Sequence, residues 1–343
     1  MQAPVVLAVD GNSLVHRSFH AQAHTGQVCW AVRGLLTQLV AAVERIRPTL
    51  VIVGFDDAYR SLRRETWPTY KAHRIEKLDT LVEQLTQATQ AMRDLGIAVV
   101  IPDGLEADDV LASAAAFARR AGARTVIVTS DRDAFALIDE HTDVLRIING
   151  GVDASPLMNA DRLVTLLGIS ASQYRDFAAL RGDPSDNLPG VRGIGRHHAT
   201  RLLTEFGSAS AAFDNLDAVR CKLGAGVATR LSHPDARPAW ELNCRVMAMH
   251  DDVALDLDLA SGAGVLPLRA EAVGAVFRAQ NLTWSTGQAV RILAEVDYDD
   301  TAPPPQSVVP PWVLGWSGGG PPRRLPKLVP RRPAPEQLSL FDA

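Results

Sequence analysis

The sequence predicts an α/β fold: a mostly parallel sheet followed by a smaller helical part. Three observations carry this. Short, β-branched, nearly continuous apolar runs recur through the first half. Segments with helical periodicity separate them, and the strand signal fades after about residue 155.

The runs are VVLAV (5–9), LVIVGF (50–55), IAVVI (97–101), TVIVT (125–129) and DVLRII (143–148). Apolar residues on both faces suit parallel strands covered on both sides. Between them, WAVRGLLTQLVAAVERI (30–46), KLDTLVEQLTQATQAMRDLG (77–96) and EADDVLASAAAFARRAG (106–122) place apolar residues at helical spacing. The last two stop at Gly96 and Gly122, where left-handed caps are expected. This βαβ alternation argues for an α/β domain. Beyond it, ADRLVTLLG, SQYRDFAALRG, HHATRLLTEFG and PAWELNCRVMAMH read as short helices, most with glycine stops. From residue 301 the composition breaks. Eleven of the 21 prolines lie in 303–335, beside the SGGG at 317–320, which reads as a flexible tail. The expected divisions are 1–168, 169–296 and 297–343.

With 343 residues, 47% hydrophobic and 22% charged, the chain has the composition of an ordinary soluble protein. No apolar run approaches the roughly 20 residues of a membrane span. The start, MQAPVVLAVD, lacks the basic and apolar segments of a secretory signal. Cys29, Cys221 and Cys244 lie far apart, as expected of buried thiols in a reducing compartment, so a cytoplasmic location is expected. The net charge of −4 hides an asymmetry: residues 303–343 carry +3, leaving −7 on the body. An acidic body still binds nucleic acid where its acids gather cations, because the ions reverse the local sign.

The acids fall at strand ends. Asp10 closes the first run, Asp56 the second, Glu106, Asp108 and Asp109 follow the third, and Asp131 and Asp133 the fourth. Sites in open parallel sheets form outside the carboxyl ends of the strands, so these acids converge on one edge. Alone, each reads as a turn former or cap, and the EADD start also suits the helix dipole. Together, seven carboxylates at one crevice repel one another unless cations neutralise them. An oxygen-only donor set points to Mg²⁺ or Mn²⁺. GDPSDNLPGVRGIG (182–195) adds Asp183 and Asp186 before a glycine hairpin between two helical segments. Such a hairpin presents backbone amides and a helix N-terminus to a phosphate; as a plain glycine-rich loop it has no such role. YRSLRRETWPTYKAHR (59–74) interleaves Arg60, Arg63, Arg64, Lys71, His73 and Arg74 with Tyr59, Trp67 and Tyr70. That mixture suits single-stranded nucleic acid, as it does a solvated basic loop.

With VDGNSLVHRSFHA, LRRETWPTYKAHR, GLEADD, TSDRDAF and GDPSDNLPGVRGIG in order over about residues 5–290, the chain resembles the 5′-nuclease, or flap endonuclease, family. The likeness is strongest to the 5′→3′ exonuclease domain of bacterial DNA polymerase I. The resemblance implies a PIN-like α/β domain with a helical arch, then a helix–three-turn–helix that grips duplex DNA. By position it implies divalent-metal ligation by Asp10, Asp56, Glu106, Asp108, Asp109, Asp131, Asp133, Asp183 and Asp186. Arg63 and Lys71 match catalytic cations at the arch base, and Tyr70 and Arg74 match DNA contacts there. Gly190, Val191, Gly193 and Gly195 match the duplex-backbone site, with K⁺ as its monovalent ion. The family's proline-rich stretch after the arch basics is replaced by IEKLDTL, so a more continuously helical arch is expected; His16 stands where tyrosine is common.

The implied activity is two-metal-assisted hydrolysis of DNA at 5′ flaps and 5′ ends, in primer removal and repair. No polymerase part follows, so a stand-alone bacterial nuclease, monomeric and nucleoid-associated, is expected. Two other readings are a PIN-type ribonuclease, which needs no GDPSDNLPGVRGIG hairpin, and a non-catalytic DNA-structure binder, which has no need of all nine acids. The terminal QLSLF (337–341) resembles the peptide by which bacterial proteins dock on the β sliding clamp. Gln337, Leu338, Leu340 and Phe341 would be its anchors, on a proline-rich tether.

Overall fold

β1 (Val5–Asp10) lies inside a six-stranded sheet ordered β3-β2-β1-β4-β5-β6. This is a computed structural model, and it describes residues 3–22, 29–74 and 77–297. The other strands are β2 (Leu50–Gly54), β3 (Ala98–Val100), β4 (Arg124–Thr129), β5 (Thr142–Arg146) and β6 (Leu157–Met158). All pairings are parallel except β5 with β6. Val6 to Asp10 stand in register with Leu50 to Gly54, and Val5 to Val9 with Arg124 to Val128. The chain builds outward from β1 through β2 to β3, then crosses to β4 on the other side of β1. The topological switch point, where ligand crevices form, lies between β1 and β4.

The continuous apolar runs cover both faces. Leu7, Val9, Val51, Val53, Val126 and Val128 point to one side. There they meet α1 (Gly11–Gln22), α2 (Trp30–Ile46) and α4 (Asp79–Asp94), while α5 (Ala107–Arg120) packs across β1, β2 and β4. Each such side chain, fully buried, contributes roughly 1.5–3 kcal/mol. The expected glycine stops hold, since Gly96 and Gly122 adopt φ of 83° and 69°.

Between β2 and α4 lies α3 (Leu62–Thr66). The expectation of a more continuously helical arch rests on IEKLDTL (75–81), whose first two residues lie outside the described residues; the described stretch before it, 67–74, is not helical. Trp67 precedes Pro68 and is extended, at φ −134° and ψ 93°, because proline disfavours a helical residue before it. Turns then carry residues 68–74.

After α6 (Gly151–Ala154) and α7 (Ala160–Leu167) come α8 (Tyr174–Arg181), α9 (Arg196–Phe206), α10 (Ala209–Asp214), α11 (Leu216–Leu223), α12 (Ala225–Leu231) and α13 (Ala236–Val246). Between α8 and α9 a two-stranded ribbon pairs β7 (Gly182–Asp183) with β8 (Leu188–Pro189). The buried Asn243 of α13 donates to the carbonyls of Ala179 and Pro189, both at 2.9 Å, and so fastens this ribbon.

The chain then returns to the first domain. Val51 donates to the Gly264 carbonyl and Leu266 to that of Thr49, both backbone bonds. The last two helices, α14 (Ala270–Ala279) and α15 (Thr283–Leu293), place Val273, Val276, Phe277, Ala289, Val290 and Leu293 in the same core as α2 and α4. The division drawn at 169–296 therefore assigned these two helices to the wrong body. They cover an apolar face that α2 and α4 leave open. The tail from 298, with the QLSLF segment, lies outside the described residues.

Candidate metal centre and nucleic-acid interface

Asp10 ends β1 beside the switch point, with only 4% of its surface exposed. Its Oδ1 accepts the Ser13 amide at 2.8 Å and its Oδ2 the Thr129 hydroxyl at 2.7 Å. Thr129 ends β4 and accepts the Asp131 amide at 3.0 Å, so one hydroxyl ties the two strand ends together. Burial pushes the Asp10 carboxyl up to about 7, helped by the charges of Asp56 and Asp131 and opposed by Ser13 and Thr129.

Asp56, after β2, accepts the Ala107 amide at 3.0 Å and the Asn12 side-chain amide. Burial and the Glu106 charge raise its pKa. Glu106 and Asp108 enter from the N-terminus of α5, after β3. Asp108 is raised well above the carboxylate range, first by burial, then by Asp131, Asp10 and Glu106. Asp133 is raised likewise, by burial and by Asp131, Asp183 and Asp186. These mutual effects are the signature of carboxylates facing a shared volume.

That volume is a pocket lined by Glu106, Asp108, Asp131, Asp133 and Asp186, with Lys71, Arg63 and Tyr70 on the arch side. Leu188, Val246, Met247 and Met249 form its apolar wall. Lys71 donates from Nζ to Glu106 Oε2 at 3.0 Å, and from its backbone to the Asp186 carbonyl at 3.0 Å. Burial alone lowers its pKa, but the charges of Glu106 and Asp186 outweigh burial and hold the ammonium above its ordinary value. Arg74 reaches Asp186 at 2.5 Å. Asp183 accepts both the amide and the hydroxyl of Ser185 at 2.7 Å. Among the described residues no three acid, histidine or cysteine groups close into a ready-made ligand set. The donors nevertheless fit hard divalent cations by chemistry: all are oxygens, and burial leaves their charge under-solvated.

Three of the expected site residues are placed differently. Asp109 is fully buried and turned away from the other acids, with a bidentate pairing to Arg63 at 2.7 and 2.8 Å. Burial raises its pKa, but Arg63 prevails and holds the carboxyl below its ordinary value. Arg63, expected as a catalytic cation at the arch base, is thereby committed to Asp109. Tyr70, expected to contact DNA, is 3% exposed and packs with Leu188 and Val246. Its hydroxyl donates to Glu106 Oε2 at 3.1 Å, so its ring offers no face to a base. Within 59–74 the fully open aromatic is Tyr59, 99% exposed.

The glycine hairpin is built on close approach. Gly182 and Gly190 face each other so tightly that a Cβ on Gly190 meets the Arg181 carbonyl at 2.2 Å. Val191 is buried and donates to Leu180, Gly193 adopts φ 80°, and Gly195 caps α9 with open space before it. The four expected positions thus form one turn at a helix N-terminus, an arrangement suited to a backbone phosphate. Sequence reading missed Asn12, Ser13, Thr129 and Ser130. Asn12 holds Asp56, and the Ser13 and Ser130 hydroxyls pair across the switch point. The available signal was their position in VDGNS and VTSD, adjacent to the acids.

Comparison with known proteins agrees over most of the described chain. Residues 5–166 match the family model for the 5′-3′ exonuclease N-terminal resolvase-like domain, and residues 169–267 match its C-terminal SAM fold. DNA polymerase I of Mycobacterium tuberculosis (strain ATCC 25618 / H37Rv) is 36% identical over 235 residues, which is 67% of this chain and 26% of that protein. The thermostable DNA polymerase I of Thermus aquaticus is 33% identical over 259 residues, 74% of this chain and 30% of that one. The chain thus spans between a quarter and a third of these relatives. T5 5′-exonuclease with bound divalent zinc shares the fold at a TM-score of 0.60 and 17% identity, covering 84% of this chain and 99% of that one. The catalytic core of Rad2 in complex with DNA substrate does so at 0.56 and 16%, covering 87% and 93%. Two family modules in tandem, over a sheet that gathers acids at its switch point, make this chain a member of the 5′-3′ exonuclease family.

Proposed function

We propose that the protein is a structure-specific 5′ nuclease, acting as a 5′-3′ exonuclease and 5′-flap endonuclease on DNA with Mg²⁺ or Mn²⁺. One observation carries the reading: Glu106 and Asp108 after β3, Asp131 and Asp133 after β4, and Asp186 of the ribbon between α8 and α9 line one pocket, and Lys71 reaches into it. Glu106, Asp108, Asp131 and Asp133 would hold the ions nearest the chemistry. Asp10 and Asp56 would support them from behind, and Asp183 and Asp186 from the ribbon. Divalent ions bound there supply Lewis acidity and lower the pKa of water. Lys71 remains charged and offers its ammonium to the charge developing on the phosphate. The apolar wall of Leu188, Val246 and Met247 limits water around that charge, which strengthens each electrostatic contact. The α9 hairpin would hold the duplex backbone, with K⁺ as an added counter-charge. Arg74 would meet the flap strand.

The test is a labelled 5′-flap duplex incubated with Mg²⁺ or Mn²⁺, using wild type and Asp108→Ala. Cleavage by wild type that needs the ion and vanishes in Asp108→Ala supports the proposal. No ion-dependent cleavage by wild type, cleavage of RNA alone, or full activity in the variant overturns it. A clamp-docking role for Gln337, Leu338, Leu340 and Phe341 is a separate proposal. Truncation of 337–343 should abolish co-elution with a β sliding clamp and leave cleavage intact.

A further inference from the structure

Arg63 leaves α3 and points into the protein, with its side chain only 10% exposed. Its guanidinium is used almost completely. Nη1 donates to Asp109 Oδ2 at 2.7 Å and Nη2 to Asp109 Oδ1 at 2.8 Å, the planar fork that arginine alone provides. Nε donates to the Val246 carbonyl at 3.1 Å, and Nη2 also to that of Ala248 at 3.2 Å. The remaining edge faces Glu106 Oε2, with Nη1 at 3.5 Å.

Asp109 is equally saturated. Besides the fork, Oδ1 accepts the His250 amide at 2.8 Å and Oδ2 the Glu106 amide at 2.9 Å. The last bond is one half of a capping box at the start of α5, and it fixes the backbone that carries Glu106. The neighbouring Ser113 hydroxyl donates to the His250 carbonyl at 3.2 Å and accepts the Val253 amide at 3.0 Å, extending the seam along α5. Three parts of the chain therefore meet at one buried pair: the arch-base helix, the segment leaving α13, and the helix end that bears the candidate metal carboxylates.

We infer that Arg63 is a positioning residue, which with Asp109 locks α3 and the 246–250 segment to the N-terminus of α5 and so sets the direction of Glu106 and Asp108. This deepens the nuclease reading and rests on it for its effect on catalysis. Arg63 acts through Asp109 and touches no substrate, and Asp109 takes no metal. The pair ties the helical module's exit to the catalytic edge: a displacement of 246–250 pulls directly on the residue that caps Glu106.

The test is a double-mutant cycle of Arg63→Met, Asp109→Asn and the pair, with Arg63→Lys alongside, in the full chain. Three readouts are taken: kcat and KM on a 5′-flap duplex, Mn²⁺ affinity by calorimetry, and amide hydrogen exchange across 246–250. Loss of a residue that orients metal ligands typically costs about 10–100-fold in affinity or activity. Arg63→Met is expected to lower kcat and weaken Mn²⁺ binding within that range, leave KM within about twofold, and speed exchange at His250. Asp109→Asn should do the same more mildly, and the double variant should be no worse than the worse single, because both remove one lock. Arg63→Lys should recover less than about a tenth of kcat, since an ammonium cannot reproduce the fork. Losses that multiply in the double variant, near-full kcat in Arg63→Lys, or unchanged Mn²⁺ affinity and exchange each overturn the inference. If Arg63→Met fails to fold, Asp109→Asn carries the calorimetric and exchange readouts. If wild type does not cleave, the nuclease reading falls, and those same two readouts still decide the lock.

Discussion

Lys71 bridges two carboxylate-bearing segments: its Nζ lies 3.0 Å from Glu106 Oε2 while its backbone amide donates to the Asp186 carbonyl at 3.0 Å. It does so in the left-handed region, at φ 55°, where a non-glycine residue is held by its surroundings rather than by preference. The ammonium is therefore presented to the pocket by two independent parts of the fold. Removing it should affect the transition state more than binding. Lys71→Ala is expected to lower kcat on a 5′-flap duplex by about 10²–10³, the usual loss for one preorganised donor, with the duplex Kd nearly unchanged. A rise in KM at constant kcat instead reduces Lys71 to a strand contact.

Asp108 should trade stability for activity. Burial, Asp131, Asp10 and Glu106 all oppose its charged form, so at neutral pH a carboxylate there is costly to the metal-free fold. Asp108→Asn keeps the shape and removes that charge. The expected result is a higher Tm than wild type in chelator at pH 7.5, together with cleavage reduced at least about 10³-fold. A lower Tm in the variant means that Asp108 is charge-compensated within the protein.

Proton and metal should compete in the pH dependence of stability. Asp10 sits at about 7 in the folded chain against an ordinary 3.8, and Asp108 and Asp133 shift in the same direction. A raised carboxyl contributes most when protonated in both states, and that contribution is lost as pH climbs from about 4 through about 7. Asp109 is shifted the opposite way, and its contribution falls only below 3.8, outside that window. His16, lowered by burial to about 4, opposes the decline inside it, but stands against the raised carboxyls of Asp10, Asp108, Asp133, Asp56 and Asp186. The Tm of the metal-free protein should therefore decline between pH 4.5 and 7.5. The increase produced by millimolar Mg²⁺ should grow over the same interval, because the ion replaces the proton. A metal-induced shift independent of pH contradicts this assignment of the acids.

Legibility in the sequence followed physical locality. The strands were readable because each is a continuous run buried on two faces, and the acids at their ends followed from topology once the strands were placed. Side-chain direction was not. Asp109 differs from Asp108 by one position, yet one helical step rotates it about 100° toward Arg63 and the α13 exit. Tyr70 reads as an exposed aromatic among basic residues, whereas Leu188 and Val246, distant in sequence, bury it. The return of α14 and α15 to the first core was likewise hidden. Their apolar stripes say that a partner exists, and not that it is α2 and α4.

Two glycines of the hairpin separate structure from recognition. A Cβ on Gly190 meets the Arg181 carbonyl carbon and oxygen at 2.2 Å and the Gly182 amide at 2.5 Å, all backbone atoms that cannot swing aside. Gly190→Ala must therefore part β7 from β8 and displace Asp183 and Asp186 together. A loss of about 3 kcal/mol or more is expected, at the upper end of overpacking costs. Gly195 has φ −91°, and a Cβ there meets nothing within 4 Å. Gly195→Ala should lower stability by no more than about 1 kcal/mol, the difference between glycine and alanine at an N-cap. Its methyl projects from the cap of α9 into the space where a duplex phosphate is proposed to approach, so duplex affinity should fall by up to roughly tenfold, about 1.4 kcal/mol. Thermal unfolding and duplex binding in chelator, measured on both variants, distinguish the two effects. If Gly195→Ala binds duplex as tightly as wild type, the hairpin's open face is not the phosphate contact.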